Sequence, residues 1–241
     1  FLSENDDFAR LCEKNKINFI GPSADSMNLC GDKQQCKAAM IKAKVPTVPG
    51  SPDVVKDADE AEKIANEIGY PVMLKSVYGG GGRGIRIVNT DQELQDGYET
   101  VTAESIAAVG KSAIIVEKFL EKTRHIEYQM CRDHHGNAVH LFERECSIQR
   151  RNQKLIEQTP SPAVDEAKRE EIGELVVKAA EAVDYTNLGT AEFLRADNGE
   201  FYFIEINARL QVEHPISEMV SGLDFVKLQL DIANGEPLPF K

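Results

Sequence analysis

Phe201-Tyr202-Phe203-Ile204-Glu205-Ile206-Asn207-Ala208-Arg209-Leu210-Gln211-Val212-Glu213-His214-Pro215 begins apolar and then turns polar at every second position. Those positions are Glu205, Asn207, Arg209, Gln211 and Glu213. Alternate residues of an extended backbone lie on one face. That face carries a carboxylate and an amide suited to a divalent cation, followed by a cation, an amide and a second carboxylate. Alternating polar residues often mean only a solvent-facing strand. Aromatic neighbours and a further carboxylate upstream favour a site here.

The upstream carboxylate is placed by counting. Residues 187–195 read as a strand through Leu188, Ala191, Phe193 and Leu194. Asn198-Gly199 is a two-residue hairpin signal. With those two as the loop, Asp197 pairs with Glu200, and Glu192 falls opposite Glu205. Two facing carboxylates, ~5 Å apart at Cβ, repel and destabilise a sheet unless they share a cation or a proton. Hard oxygen ligands suit Mg²⁺ or Mn²⁺, which bridge carboxylates and substrate phosphates. A phosphate site is therefore expected nearby.

The 241 residues suffice for one substantial domain or two small ones. A net charge of −12 argues against nucleic acid as the main partner, and no apolar run approaches the ~20 residues of a membrane span. Cys12, Cys30, Cys36, Cys131 and Cys146 are odd in number and lack CxxC spacing. Free thiols in a reducing, cytoplasmic compartment are expected. The chain opens on Phe1 rather than Met, as a piece of a longer protein would.

Helices are predicted over 6–15, 33–42, 57–68, 92–109, 166–183 and 225–233. Strands are predicted over 17–20, 72–77, 85–88, 113–119, 126–131, 139–146, 188–195 and 201–206. This order fits antiparallel sheets with helices, an α+β fold, better than a doubly wound parallel sheet. Pro46, Pro49 and Pro52 form a linker-like stretch, and 47–119 is expected to be a small subdomain of its own.

Tyr78-Gly79-Gly80-Gly81-Gly82-Arg83-Gly84 joins two of these strands. A dinucleotide fingerprint needs a helix after its glycines, whereas Ile85-Arg86-Ile87-Val88 is a strand. A glycine turn between strands can instead close over phosphates with its N–H groups. Lys75, in an otherwise apolar strand just before the loop, is expensive there unless it meets an anion. Ser147-Ile148-Gln149-Arg150-Arg151-Asn152-Gln153-Lys154 is a second basic cluster, either a solvated face or an anion site. Asp133-His134-His135-Gly136-Asn137 reads as an exposed hairpin turn, and His140 and Cys146 as packing residues.

Together these motifs resemble the biotin carboxylase family of ATP-grasp enzymes, the subunits of acyl-CoA and pyruvate carboxylases. The resemblance runs over essentially the whole chain. It includes Ile20-Gly21-Pro22-Ser23, Gly31-Asp32-Lys33, the glycine loop, Glu117-Lys118-Phe119-Leu120, Arg124-His125-Ile126-Glu127, Glu143-Arg144-Glu145-Cys146-Ser147-Ile148-Gln149-Arg150-Arg151 and the opening stretch. The glycine loop is shared by many ATP-grasp enzymes, while Ser-Ile-Gln-Arg-Arg and Gln-Val-Glu-His-Pro are far more specific. The resemblance implies an ATP-grasp domain over 32–241 with a mobile lid at about 47–119. Residues 1–31 would then end an α/β pre-ATP-grasp domain.

It also implies MgATP-dependent carboxylation of biotin by bicarbonate through carboxyphosphate. Lys33 and Lys75 would hold ATP phosphates beneath Gly80, Gly81 and Gly82. Glu117, Lys118 and Leu120 would line the adenine pocket, with His125 beside the nucleotide. Glu192, Glu205 and Asn207 would hold two Mg²⁺ or Mn²⁺ ions. Lys154, Arg209, Gln211 and the Val212 backbone would bind bicarbonate, Gln149 belongs to the same ligand set, and Glu213 would be the base. Asn152 stands where the family usually has His, and Ala208 where Thr or Pro is commoner. Implied partners are bicarbonate, a biotin carrier domain, a carboxyltransferase subunit that chooses the final acceptor, and a second copy in a homodimer. The family's C-terminal domain is expected to lie outside this stretch. The rival readings are a carbamoyl-phosphate synthetase-like ligase and a nucleotide-binding fragment without complete catalysis.

Overall fold

The computed structural model describes residues 1–78, 84–151 and 153–240. In chain order its helices are α1 (Asp6–Lys14), α2 (Ala24–Gly31), α3 (Lys33–Lys42), α4 (Ala58–Ile68), α5 (Asp91–Val109), α6 (Glu166–Ala182), α7 (His214–Ser221) and α8 (Phe225–Ala233). The strands are β1 (Val72–Ser76), β2 (Ile85–Val88), β3 (Ile114–Lys118), β4 (Arg124–Arg132), β5 (Ala138–Arg150), β6 (Gln153–Gln158), β7 (Asn187–Arg195) and β8 (Phe201–Asn207). They fall into two compact units, Val48–Lys122 and the combination of Phe1–Thr47 with Thr123–Lys241.

The larger unit is built on a five-stranded sheet in the order β6-β5-β4-β7-β8, antiparallel throughout. Period-two patterning decides its faces. Ile126, Tyr128 and Met130 of β4 and Ala191 and Phe193 of β7 enter a core with Ile172, Val176, Ala179 and Ala180 of α6. α6 starts where the Asp165 side chain accepts the Lys168 N–H, and its apolar positions recur every three or four residues. On the opposite face Leu141 and Leu188 pack with Phe225, Leu228 and Ile232 of α8. The alternate residues of β4, Glu127 and Gln129, are buried yet polar.

The smaller unit carries a three-stranded antiparallel sheet, β2-β1-β3. Val72 and Leu74 of β1 and Ile114 and Val116 of β3 pack with Ala61 and Ala65 of α4 and Leu94 and Val101 of α5. Alternation leaves Met73, Lys75, Ile85, Ile87, Ile115 and Glu117 on the other face. Among the described residues no helix is long and apolar enough to cross a membrane.

The α+β class and the antiparallel sheets agree with the sequence reading, and some elements differ. Residues 17–20 form no strand. Two short helices, α2 and α7, and the edge strand β6 differ from that reading: the two helices span little more than two turns each, and β6 lies largely exposed within the polar stretch that reads as a basic cluster. β5 runs on to Arg150 and pairs with β6, so the basic cluster spans a hairpin and does not follow a finished strand. The Asp133 turn lies between β4 and β5, but Asp133 itself is buried. Its carboxylate accepts the N–H groups of His135, Asn137 and Leu238 and the Asn137 side-chain amide.

Candidate active site

Glu192 is directly opposite Glu205, although by a different route from the simple count. The loop has three residues: the Ala196 N–H donates to the Glu200 carbonyl, and Gly199 takes φ 88°. Strand pairing therefore starts one residue out of step, with Arg195 opposite Phe201 and Phe193 opposite Phe203. A bulge between Glu192 and Phe193, with Ile204 the extra residue, restores the expected pair. The alternating row, however, is not one strand. β8 ends at Asn207, residues 208–211 are irregular, and Glu213 caps the start of α7.

The row instead extends sideways across the sheet. Arg144 of β5 is opposite Glu127 of β4, Glu127 is opposite Glu192 of β7, and Glu192 is opposite Glu205 of β8. A parallel row two residues along holds Gln129, Thr190 and Asn207. Three adjacent carboxylates repel one another, and the surrounding cations decide whether the sheet tolerates them. The Arg144 Nε donates to Glu127 Oε1 at 2.5 Å, and both side chains are 0% exposed. Lys154 of β6 reaches in to touch Glu127 and places its Nζ 2.9 Å from both Glu192 Oε1 and Glu213 Oε1. Burial alone would weaken the Lys154 ammonium, but Glu127 and Glu192 raise its pKa above the ordinary lysine value. Burial would raise the Glu192 and Glu213 pKa values. His125 and Lys154 hold Glu192 below the usual carboxylate range, and Lys154 does the same for Glu213.

His125 Nε2 lies 2.6 Å from Glu192 Oε2, and its Nδ1 meets the Gln149 amide at 3.1 Å. Glu192 Oε1 also accepts from the Asn207 amide at 2.8 Å and the Gln211 amide at 3.1 Å. Lys33, the first residue of α3, is 82% exposed and sits 3.4 Å from Glu205. Arg209 pairs with Glu4 at 2.8 Å rather than with Glu213, because the chain bends after Asn207. Val212 is 91% exposed. The structure thus brings His125, Gln149, Lys154, Glu192, Glu205, Asn207, Gln211 and Glu213 to one sheet face, with Arg209 at its margin.

The residues expected on the smaller unit are described by themselves. Lys75 of β1 donates to Glu117 of β3 at 2.5 Å, so the half-buried lysine of an apolar strand has an anionic partner. The Lys118 Nζ donates to the Gly69 and Tyr70 carbonyls. Leu120 follows β3 and is half-buried. Gly80, Gly81, Gly82 and Asn152 lie outside the described residues.

The donor set fits a divalent cation. Glu127, Glu192, Glu205 and Glu213 face the cations Arg144, Lys154 and Lys33, leaving an excess carboxylate on an oxygen-rich face. Among the described residues, His125, Glu127 and Glu192 bring ligand atoms within 4.8 Å of one another, as do Glu127, Cys146 and Glu213. Oxygen donors at Glu192, Glu205 and Asn207 suit Mg²⁺ or Mn²⁺. The sequence reading missed Glu127, Gln129, Arg144 and Thr190 as site residues. For two of them the signal was present: Glu127 and Gln129 alternate with Ile126, Tyr128 and Met130, a polar face on a strand whose other face is apolar.

Comparison with known proteins places this geometry in a lineage. The family model described as carbamoyl-phosphate synthase L chain, ATP binding domain, matches residues 32–241, and that of the biotin carboxylase N-terminal domain matches 1–27. The 2-oxoglutarate carboxylase small subunit of Hydrogenobacter thermophilus is 52% identical over 240 residues, covering 100% of this chain and 51% of that protein. The crystal structure of a biotin carboxylase–β,γ-ATP complex from Campylobacter jejuni superposes with a TM-score of 0.88 at 48% identity, over 100% of this chain and 54% of its own. The biotin carboxylase domain dimer of the Hydrogenobacter thermophilus 2-oxoglutarate carboxylase, in complex with MgADP, ADP and bicarbonate, superposes at 0.87 with 51% identity, over 100% and 53%. The chain spans about half the length of the relatives it matches.

Proposed function

This chain belongs to the family of the carbamoyl-phosphate synthase L chain ATP-binding domain and within it to the biotin carboxylases, and we propose that its parent protein carboxylates biotin with bicarbonate at the expense of ATP. The observation that carries this reading is the row Arg144, Glu127, Glu192 and Glu205, with Lys154 set against three carboxylates beside it. A site with excess carboxylate and a half-buried lysine suits metal-assisted transfer of a phosphoryl group to a small anion.

In this reading Glu192, Glu205 and Asn207 hold two divalent cations, which neutralise charge on the transferred phosphoryl group. Lys33 and, on the smaller unit, Lys75 meet ATP phosphates, with Gly80, Gly81 and Gly82 closing over them. Glu117, Lys118 and Leu120 line the adenine pocket, and His125 lies beside the nucleotide. Lys154, Arg209, Gln211 and the Val212 backbone bind bicarbonate next to Gln149. Glu213 takes the bicarbonate proton as a bicarbonate oxygen bonds to the γ-phosphorus and ADP departs. Carboxyphosphate then releases CO₂ and phosphate, and the released phosphate takes the N1 proton as biotin N1 bonds to the CO₂ carbon. Residues 1–31 close an N-terminal α/β domain, 32–241 form the ATP-grasp domain, and about 47–119 act as its lid. A biotin carrier domain, a carboxyltransferase subunit and a second copy of the chain are its partners. Five buried free thiols suit a cytoplasmic setting.

The test is ADP release by the full-length parent with MgATP, with and without bicarbonate and free biotin. Release that requires bicarbonate and is stimulated by biotin is expected. Release indifferent to biotin but stimulated by ammonia would move the assignment to carbamoyl phosphate synthesis.

A further inference from the structure

Arg144 is 0% exposed, and all five of its guanidinium N–H donors find acceptors. Nε donates to Glu127 at 2.5 Å, Nη1 to Gln129 and Ser217 at 2.9 Å each, and Nη2 to Gln211 at 2.9 Å and Thr190 at 3.2 Å. These partners come from β4, β7, the segment after β8, and α7. Four of the five lead on to a group of the site. Glu127 holds Lys154, and the same Gln211 side chain donates to Glu192. Ser217 lies on the first turn of α7, whose N-cap is Glu213. Thr190 is opposite Asn207.

A planar fork with five fixed donors can lock five side chains at once, which a point-charge ammonium cannot. Removing such a group leaves buried partners without donors. We propose that Arg144 is the positioning residue of the bicarbonate side of the site, acting through Glu127 on Lys154 and directly on Gln211. This role rests on the biotin carboxylase reading. It predicts an effect that falls mainly on bicarbonate, because Arg144 touches Gln211 directly and reaches Lys154 through Glu127, whereas the metal-side groups Glu192 and Asn207 lie one residue beyond Gln211 and Thr190.

The experiment compares wild type and Arg144→Lys in the full-length parent, reading the bicarbonate KM, kcat, MgATP Kd and Tm. The expected result is a loss of about 10–100-fold in kcat/KM for bicarbonate, as for other residues that orient a site from behind. MgATP affinity should stay within about twofold, and the loss that Arg144→Lys adds to Lys154→Gln should be smaller than the loss it causes alone. A folded Arg144→Lys protein with unchanged bicarbonate kinetics overturns the proposal, as does a parallel loss of MgATP affinity. Should Arg144→Lys fail to fold, Ser217→Ala removes one contact, keeps the charge and carries the same one-sided expectation at severalfold size. If wild type shows no bicarbonate-dependent ADP release, the functional reading has failed by itself. The crystal structure of Arg144→Lys then decides: a retained Gln211–Glu192 contact and an unmoved Lys154 overturn the positioning role, and their displacement supports it.

Discussion

Glu213 accepts a hydrogen bond from Lys154 at 2.9 Å, and the same lysine is shared with Glu127 and Glu192. Its carboxylate is held below the ordinary range by that lysine against the effect of burial, which keeps it unprotonated while weakening it as a base, so its placement beside Lys154 carries the assignment. Replacing Glu213 with Gln keeps the shape and the acceptor but removes the base. In the full-length parent the maximal bicarbonate-dependent rate should fall by ~10²–10⁴. A variant with that rate intact and only a higher bicarbonate requirement would show that Glu213 merely orients Lys154. The residue types of this site were legible in the sequence because chemistry leaves few choices for them. Beyond the Glu192–Glu205 pair their pairing was not, since Arg209 reads as the natural neighbour of Glu213 in an extended row. The bend after Asn207 sends it to Glu4 instead, 205 positions away. Arg144 was illegible for a related reason: a lone arginine between two glutamates looks like a surface run until four strands are laid side by side.

At the scale of elements, Asp133 shows how a turn can tie distant segments together. Burial favours its neutral acid, but donors from Asn137, Leu238 and His135 bring its pKa down to about 2. A carboxylate depressed in the folded state stabilises above its unfolded pKa of ~3.9 and loses that contribution as pH falls towards the folded value. The stability at stake is about 2 kcal/mol, present at neutral pH and lost progressively between about pH 4 and 2. Asp133→Asn should therefore lower Tm at pH 7 and flatten its decline over that window, as calorimetry would read; an unchanged acid slope would remove Asp133 from the account. Gly50 makes a second case. Its added Cβ would lie 2.3 Å from the Val116 carbonyl oxygen, where Ser51 N–H docks on β3. Gly50→Ala must push the segment off the strand that carries Glu117 and Lys118, at a cost of about 1–3 kcal/mol. Weaker MgATP binding should accompany the lower Tm, and an unaltered Tm would contradict the close approach. The strands were readable from alternation, and the hairpin from Asn198-Gly199. The bulge at Ile204 was not, because nothing in its side chain marks an extra residue; the expected Glu192–Glu205 pair emerged from two offsets that cancel.

At the scale of the molecule, the chain folds as two units with separate cores, and it crosses between them twice, after Thr47 and after Lys122. The smaller unit buries one face of its sheet against α4 and α5 and leaves the other carrying Met73, Ile85, Ile87 and Ile115 around the Lys75–Glu117 pair. An apolar face with one lysine suits a flat base and a phosphate, which is why this unit is assigned the lid of the proposed nucleotide site. A unit attached by two crossings can move as a body, and a nucleotide that binds it should oppose the local opening of its strands. In the full-length parent, MgATP at about 100 times its Kd should slow amide exchange in β1 and β2 by up to about 100-fold. Exchange in α6, whose core lies wholly in the larger unit, should change far less. The contrast between the two regions carries the prediction, because global stabilisation would slow both alike. Equal exchange of β1 and β2 with and without saturating MgATP would mean that this face does not meet the nucleotide, and Lys75 would then be a structural partner of Glu117 and no more.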